Sequence, residues 1–354
     1  MLPVRILRLD RTSMSTIDPA TRARQLLPPP FVARLAQIIE AYQLNRVLAS
    51  FAEEKRFSFR INGLVGSAEE TLVQVRQLGV DYEPVPWLVD EQVSPIAFVA
   101  DRIWRERLTH SDLIEQGRVY LQNLSSMIAP WILGAAPEET VLDLAAAPGG
   151  KTIQLAQQMK NTGQLSAVEA VRNRMFKLQA NLMRCNVTNC KTYFTDGRTV
   201  GQKTPERFDR VLLDAPCSSE SRFRVDEPAS WETWSLGKIR ETSRKQIGLL
   251  KAAIHAAKIG GTILYCTCSF APEENEQVVD KAIRKFGDAI EIVPFEIPFC
   301  HLQSGLTKWG EQTFDDRLAH TRRILPDAVF DAFYLAKIVK TKSVGNQKNG
   351  KRMG

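Results

Sequence analysis

The 354-residue chain is 44% hydrophobic and 25% charged, ordinary for a soluble globular protein and long enough for two domains. Its net charge of +7 favours a polyanionic partner such as a nucleic acid. No run of about 18 apolar residues is present for a membrane span, Met1–Asp10 lacks the apolar core of a secretory leader, and six cysteines without a C-x-x-C pair argue against structural zinc or a disulfide framework. A cytoplasmic monomer without metal is expected.

Residues 1–30 are arginine-rich (Arg5, Arg8, Arg11, Arg22, Arg24) and end in Pro28-Pro29-Pro30, which stops regular structure and reads as a hinge. A helix is expected over Val32–Ala52. Phe57–Ile61 alternates like a strand, and Ser67–Leu78 reads as a helix capped by Ser67. Val85–Val89 could form a short strand, confined to a sheet edge by Pro84 and Pro86. Residues 31–115 are therefore expected to form a small α/β domain, and the basic N-terminus with the overall charge balance points to nucleic-acid docking through it.

From 116 to 340 the pattern becomes a regular alternation. Strands are expected at Val141–Leu144, Gln164–Val168, Thr192–Thr195, Arg207–Leu213, Gly261–Thr267 and Phe333–Ile338. Helices fit Arg172–Cys185, with Met175, Leu178 and Leu182 on one face, and Leu236–Lys258, with Ile247, Leu250 and Ile254. The fold class is α/β: a Rossmann-like, mostly parallel sheet with helices on both faces. Residues 341–354 carry Lys342, Lys348, Lys351 and Arg352 without an acid and read as a disordered basic tail.

Val141–Leu144 runs into Ala145-Ala146-Ala147-Pro148-Gly149-Gly150-Lys151, a small-residue turn opening a helix. In such sheets ligands sit beyond the carboxyl ends of strands. Gly149 and Gly150 allow the backbone close to a ligand, and a helix N-terminus offers free N–H groups. The phosphate-binding G-x-x-x-x-G-K-[ST] pattern is nearly met, but its first glycine is Ala145. The dinucleotide G-x-G-x-x-G is absent. Glu169, about twenty residues on, is placed to bind both hydroxyls of a ribose. An adenosine-containing cofactor without phosphates fits, and S-adenosylmethionine is one. Asp196 could meet the adenine amine, and Asp214 faces the centre of the same cleft.

Cys217 and Cys268 each lie just past a core strand. A thiolate attacking C6 of a pyrimidine makes C5 nucleophilic, so that C5 can accept a methyl group before a base removes its proton and the thiol departs. The thiol must be partly exposed and readily ionised. Asp214 is a candidate partner for N3 and the exocyclic amine of a flipped cytosine, with Lys151 positioning them. Arg222 and Arg224 could hold flanking phosphates. Glu273, Glu274 and Glu276 are expected to cap the helix after Cys268, with a structural role for Asn275. Cys185, Cys190, Cys300 and, more weakly, Cys266 read as buried apolar residues. On this chemistry alone either thiol could be the nucleophile.

The chain resembles the Sun/Nop (Fmu-type) family of RNA cytosine-C5 methyltransferases, from Gly117 to about Ile338 and more faintly back to Phe57. The resemblance rests on Ala145–Lys151, Asp214-Ala-Pro-Cys217-Ser, Thr267-Cys268-Ser269 and Glu274-Asn-Glu276, with Tyr120–Ser126 and Arg323-Ile-Leu-Pro326 as further family-like segments. It implies a class I methyltransferase domain over 116–340, with Ala145–Lys151, Glu169, Arg174, Asp196 and Asp214 lining the S-adenosylmethionine site. It also implies Cys268 as nucleophile, Cys217 in product release, and ribosomal or transfer RNA as substrate. DNA cytosine-C5 methyltransferases use the cysteine of a Pro-Cys motif, here Cys217. A DNA enzyme of that kind, or a non-catalytic RNA-binding or ribosome-assembly factor, are the alternatives. Two positions depart from the family: Ser219-Glu220-Ser221 follows Ser218 where glycine is common, and Asp331-Ala332 replaces Asp-Gly.

Overall fold

The computed structural model describes residues 17–89, 95–298 and 301–345. The expectations for Arg5, Arg8, Arg11, Cys300, Lys348, Lys351 and Arg352 lie outside the described residues. Helix α1 (Pro19–Leu26) starts at Asp18, whose side chain accepts from the Ala20 and Thr21 N–H groups. The proline triplet separates α1 from α2 (Pro29–Ile38) but does not stop regular structure. Pro29 and Pro30 occupy the first helical positions, where no donor is lost. The single helix expected over Val32–Ala52 is two, because Ile39 is extended (φ −96°, ψ 135°) and α3 (Ala41–Ala49) follows. The break lets both Ile38 and Ile39 be buried. Phe31 packs edge-on against Phe51 and Phe270 and at a tilt against Phe223, fixing these helices to the loops that follow two core strands.

The next elements are β1 (Phe57–Ile61), α4 (Ala68–Gln77), β2 (Tyr82–Pro84), β3 (Ala97–Ala100), the short helices α5 (Arg105–Thr109) and α6 (Asp112–Glu115), and β4 (Val119–Leu121). They form an antiparallel sheet in the order β2-β3-β1-β4. Ser67 caps α4 as expected, accepting from Glu70 N–H at 3.4 Å. Val85–Val89 is not a strand. The ladder ends at Pro84, and Leu88 N–H folds back onto Val85 O, as two nearby prolines without donors require. β4 lies past the expected boundary at residue 116, yet it completes this small sheet.

The second layer system comprises α7 (Leu124–Leu133), β5 (Thr140–Asp143), α8 (Gly150–Gln158), β6 (Gln164–Glu169), α9 (Arg172–Arg184), β7 (Cys190–Phe194), α10 (Val200–Lys203), β8 (Phe208–Asp214), α11 (Leu236–Ala256), β9 (Ala257–Thr267) and α12 (Glu276–Phe286). The short strands β10 (Ile290–Ile292), β11 (Leu302–Ser304), β12 (Lys308–Trp309), β13 (Gln312–Thr313) and β14 (Arg322–Ile324) precede β15 (Phe333–Lys340). Strands β9-β8-β5-β6-β7 are parallel, the expected Rossmann-like centre. Beyond β9 the sheet continues antiparallel through β15, β14 and β11, with β10 also on β15. Val141, Leu165 and Leu212 pack with α7 and α8, while Leu142, Val211 and Leu213 pack with α11 and α12. That is the two-faced burial of a parallel sheet.

β5 has β6 on one side and β8 on the other, so the chain leaves it in opposite directions and a crevice opens beyond the strand ends. Asp143, Glu169, Asp214 and Thr267 end the four strands that border this crevice. Among the described residues, no helix is long and apolar enough to cross a membrane, and no group of three or more His, Cys, Asp or Glu side chains is arranged to hold a metal ion.

Candidate active site

Asp143 is buried at the end of β5 and accepts from Thr152 Oγ1 at 2.7 Å, which ties the strand to α8. Burial pushes its carboxyl up to about 6, against the pull of that hydrogen bond. Gly149 is left-handed (φ +112°), so the turn requires glycine there. Beside the expected reason for both glycines, room for a ligand, the fold supplies a second one. A Cβ at Gly149 would lie 3.0 Å from Leu178 of α9, and one at Gly150 3.0 Å from the Tyr120 ring and 3.3 Å from Gln122 Oε1. Close-packed neighbouring side chains therefore favour small residues at both positions.

Glu169 is 4% exposed. One carboxylate oxygen accepts from Val171 N–H at 2.8 Å, and the other lies 3.6 Å from Arg174. Arg174 also donates to Ala147 O at 2.5 Å, joining the strand-end acid to the turn. Asp196 is engaged otherwise. Its carboxylate accepts from the Arg198 N–H at 2.9 Å and from the Arg198 guanidinium, and hydrogen bonding from Arg198 holds it below its ordinary range.

Lys151 donates to Asp214 Oδ2 and to Ser126 Oγ, both at 2.6 Å. Burial alone would lower its pKa, but the Asp214 charge overcomes this and holds it above the usual lysine value. Cys266 offers its thiol to Asp214 Oδ1 at 3.7 Å, and burial raises that thiol far above its usual range. With Lys151 committed to Asp214, the turn keeps no lysine for a phosphate. Its geometry thus separates it from the phosphate-binding pattern it resembles. A phosphate-free nucleoside with a cationic sulfur fits this set: a buried carboxylate at the end of β6, the N-terminus of α8, and the Asp214 carboxylate facing the cleft.

Cys217 and Cys268 approach to 3.1 Å between sulfurs, and both are half-buried. The hydrogen bond from Cys217 is the main cause that brings Cys268 down to about 7, helped by the Arg222 charge and opposed by burial. The same contact, with burial, raises Cys217. These opposite directions make Cys268 the more acidic member of the pair. Asn275 grips the segment around Cys268, accepting from Thr267 Oγ1 at 2.6 Å and donating to Ser269 O at 2.8 Å. Arg222 is exposed beside the thiols. Arg224, expected to hold a phosphate, turns inward to 3.6 Å from Asp331.

No side chain caps α12 by a hydrogen bond, but Glu276 places its charge in the first turn as expected, whereas Glu273 and Glu274 lie before the helix. Glu273 pairs with Arg34 at 2.6 Å, Glu276 pairs with buried Arg323, and Glu274 lies under the Cys217 loop, accepting from Ser218 N–H at 3.0 Å and Ser218 Oγ at 2.5 Å. Burial pushes Glu274 up to about 7. Glu220, noticed in the sequence only as a departure, is 1% exposed. It accepts from Trp234 Nε1 at 2.8 Å, Ser269 Oγ at 3.0 Å, Phe270 N–H at 2.8 Å and Ala271 N–H at 3.0 Å. The Cys217 loop thereby clasps the Cys268 loop. Ser219, where the family has glycine, is left-handed (φ +58°), and its hydroxyl also hydrogen-bonds Cys268.

Sequence reasoning gave no role to Ser126, Ser218 and Ser269, although each ends a quoted segment, and missed Gln246 of α11, which donates to Pro216 O at 2.8 Å. Asp331 also gained a purpose. It joins Lys55 at 2.6 Å and Asn123 at 2.6 Å, while Ala332 has an ordinary φ and is buried, so the family's glycine is not needed there.

Residues 130–339 match the family described as 16S rRNA methyltransferase RsmB/F. The ribosomal RNA small subunit methyltransferase F of Vibrio atlanticus is 35% identical over 344 residues, covering 94% of this chain and 68% of that protein. That of Vibrio cholerae is 35% identical over 338 residues, covering 93% and 67%. A crystal structure of a methyltransferase homolog protein from Pyrococcus horikoshii superposes with a TM-score of 0.75 at 27% identity, covering 94% of this chain and 100% of that one. The chain spans about two thirds of the length of these curated relatives.

Proposed function

From the premise that this chain belongs to the RsmB/F family of rRNA methyltransferases, we propose that it methylates C5 of a cytosine in ribosomal RNA through a covalent Cys268–C6 bond. The observation that carries this reading is the thiol pair at 3.1 Å, with Cys268 the more acidic member, beside Asp214 and Lys151. Cys268 attacks C6 as the thiolate. Asp214, held by Lys151, accepts from the exocyclic amine of the flipped base, and from N3 once thiolate addition at C6 leaves N3 protonated. S-adenosylmethionine, when bound, supplies the methyl group as a sulfonium electrophile. After C5 is methylated its proton leaves to a base and the C6–S bond breaks. Cys217 then re-forms the hydrogen bond that stabilises the departing thiolate.

Ala145–Gly150 and Glu169 carry most of the donor binding in this reading, with Arg174 orienting Glu169. Asp196 can meet the adenine amine only where Arg198 yields, so it contributes less. The small sheet and its helices are read as the RNA-docking unit. Unchanged RNA affinity and salt slope after neutralising exposed Arg102, Arg105 and Arg107 overturns that part.

The nucleophile is tested with RNA and DNA carrying 5-azacytosine, which traps the thiol adduct. The expected result is an RNA adduct in the wild-type protein and in Cys217→Ala, and none in Cys268→Ala. An adduct that survives Cys268→Ala and disappears in Cys217→Ala, above all on DNA, replaces this reading with the DNA-type mechanism. A folded protein that binds no S-adenosylmethionine points to the non-catalytic factor.

A further inference from the structure

Strand β1 alternates as expected, but its polar face does not meet water. Phe57, Phe59 and Ile61 enter the core of the small sheet, while Ser58, Arg60 and Asn62 point the other way. All are buried, and Arg60 and Asn62 have no exposed surface. A buried arginine is retained against a large desolvation cost only where its hydrogen bonds are spent well.

Arg60 spends them at the cofactor turn. It donates to Gly150 O at 3.2 Å, to Gln157 Oε1 at 3.2 Å and to Gln122 Oε1 at 3.1 Å, and lies 5.2 Å over the Tyr120 ring. Tyr120 and Gln122 are the residues that a Cβ at Gly150 would press against, at 3.0 and 3.3 Å. Asn62 donates to Gly117 O at 2.9 Å and to Cys185 O at 3.0 Å, the latter just past the end of α9. One strand face thus holds the first turn of α8 and the last turn of α9, the two helices that flank Ala145–Gly150.

We propose that Arg60, with Asn62 beside it, is a positioning residue for the methyl-donor turn, so that the small N-terminal sheet is a structural part of the donor site. This rests on the reading of Ala145–Gly150 as that site. Ordered N–H groups at the start of α8 bind a ligand only while the turn is held, and Arg60 supplies a rigid fork that Lys cannot fully replace.

The test uses the full chain with Arg60→Met, Arg60→Lys and Gly150→Ala. S-adenosylmethionine binding is measured by calorimetry, RNA binding at fixed salt, and amide hydrogen exchange over residues 149–153 without ligand. In Arg60→Met the dissociation constant for S-adenosylmethionine should rise about tenfold or more, RNA affinity should stay within about twofold, and exchange at the turn should quicken; Arg60→Lys should be intermediate. Gly150→Ala, which presses on the same Tyr120–Gln122 contact, should behave alike, and the double variant should be no worse than the stronger single one. Where Arg60→Met does not fold, Arg60→Lys and Gly150→Ala carry the test. Unchanged donor affinity and exchange in a folded variant, or equal losses of donor and RNA affinity, overturn the proposal. A wild-type chain that binds no S-adenosylmethionine instead overturns the reading of the site, and the exchange measurement still decides whether Arg60 orders the turn.

Discussion

On the donor side of the cleft, Asp143 to Thr152 form one continuous segment in which turn, helix start and Lys151 follow each other directly. On the thiol side, Cys217 and Cys268 come from positions 51 residues apart and are held by Glu220 and Glu274, both buried. The donor wall is ordered mainly by backbone conformation and close packing. The thiol wall is ordered by carboxyls that lose their hydration and recover it only through hydrogen bonds from the opposite loop. The second arrangement fails more abruptly, because each removed carboxyl strands several buried donors at once.

The largest effect should therefore come from Glu220→Ala. It leaves the Phe270 and Ala271 N–H groups, the Ser269 hydroxyl and the Trp234 indole without their acceptor. A loss of about 3 kcal/mol or more is expected in denaturant unfolding, since each stranded buried donor costs about 1–3 kcal/mol. A loss under about 1 kcal/mol would mean that the two loops hold together without it, and the contrast between the walls would disappear.

Glu169→Ala probes the donor wall and should act on binding rather than folding. Loss of charge-assisted bonds to the ribose should weaken S-adenosylmethionine by about 1.5–3 kcal/mol, roughly tenfold to a hundredfold. Calorimetry on the folded variant reads this directly, and an unchanged dissociation constant removes Glu169 from the ribose.

Stability should also depend on pH through the thiol wall. Glu274 titrates at about 7 in the folded protein, against an ordinary value of 4.5. The folded state then holds its proton over a range where the unfolded state has lost it. The stabilisation is complete below about 4.5 and fades as pH rises towards 7. Glu274→Gln should flatten this slope in unfolding experiments at pH 5 and pH 7.5; an unaltered slope assigns it to another group.

The same contrast explains what was legible in the sequence. The parallel strands, the buried faces of α9 and α11, the Ala145–Lys151 turn and both strand-end thiols follow from local period and turn chemistry, and each lies at the place in the fold that the pattern gives it. The antiparallel strands β10, β11 and β14 are three residues each, too short for any period to register. The roles of Glu220, Glu274 and Arg60 were hidden because a charged residue in a sequence reads as exposed until its distant partners are known. Ser219 stood out only as a missing glycine, although its left-handed backbone preserves the conformation a glycine would take.

The smallest expected effects concern how the thiol pair divides its proton. Alkylation of Cys268 by iodoacetamide, followed by peptide mapping, tracks its thiolate, so the wild-type rate should reach half its plateau near pH 7. Cys217→Ala removes the leading cause of that low value and should raise the midpoint by about one unit, equivalent to about 1.4 kcal/mol. Ser219→Gly should raise it by less, because the Ser219 hydroxyl contributes only a secondary hydrogen bond to Cys268. Glycine also relieves the left-handed strain at this position, so Ser219→Gly should shift the alkylation midpoint upward without lowering stability. A downward shift would mean that the hydroxyl favours the neutral thiol, and that Ser219 departs from glycine at the expense of the nucleophile.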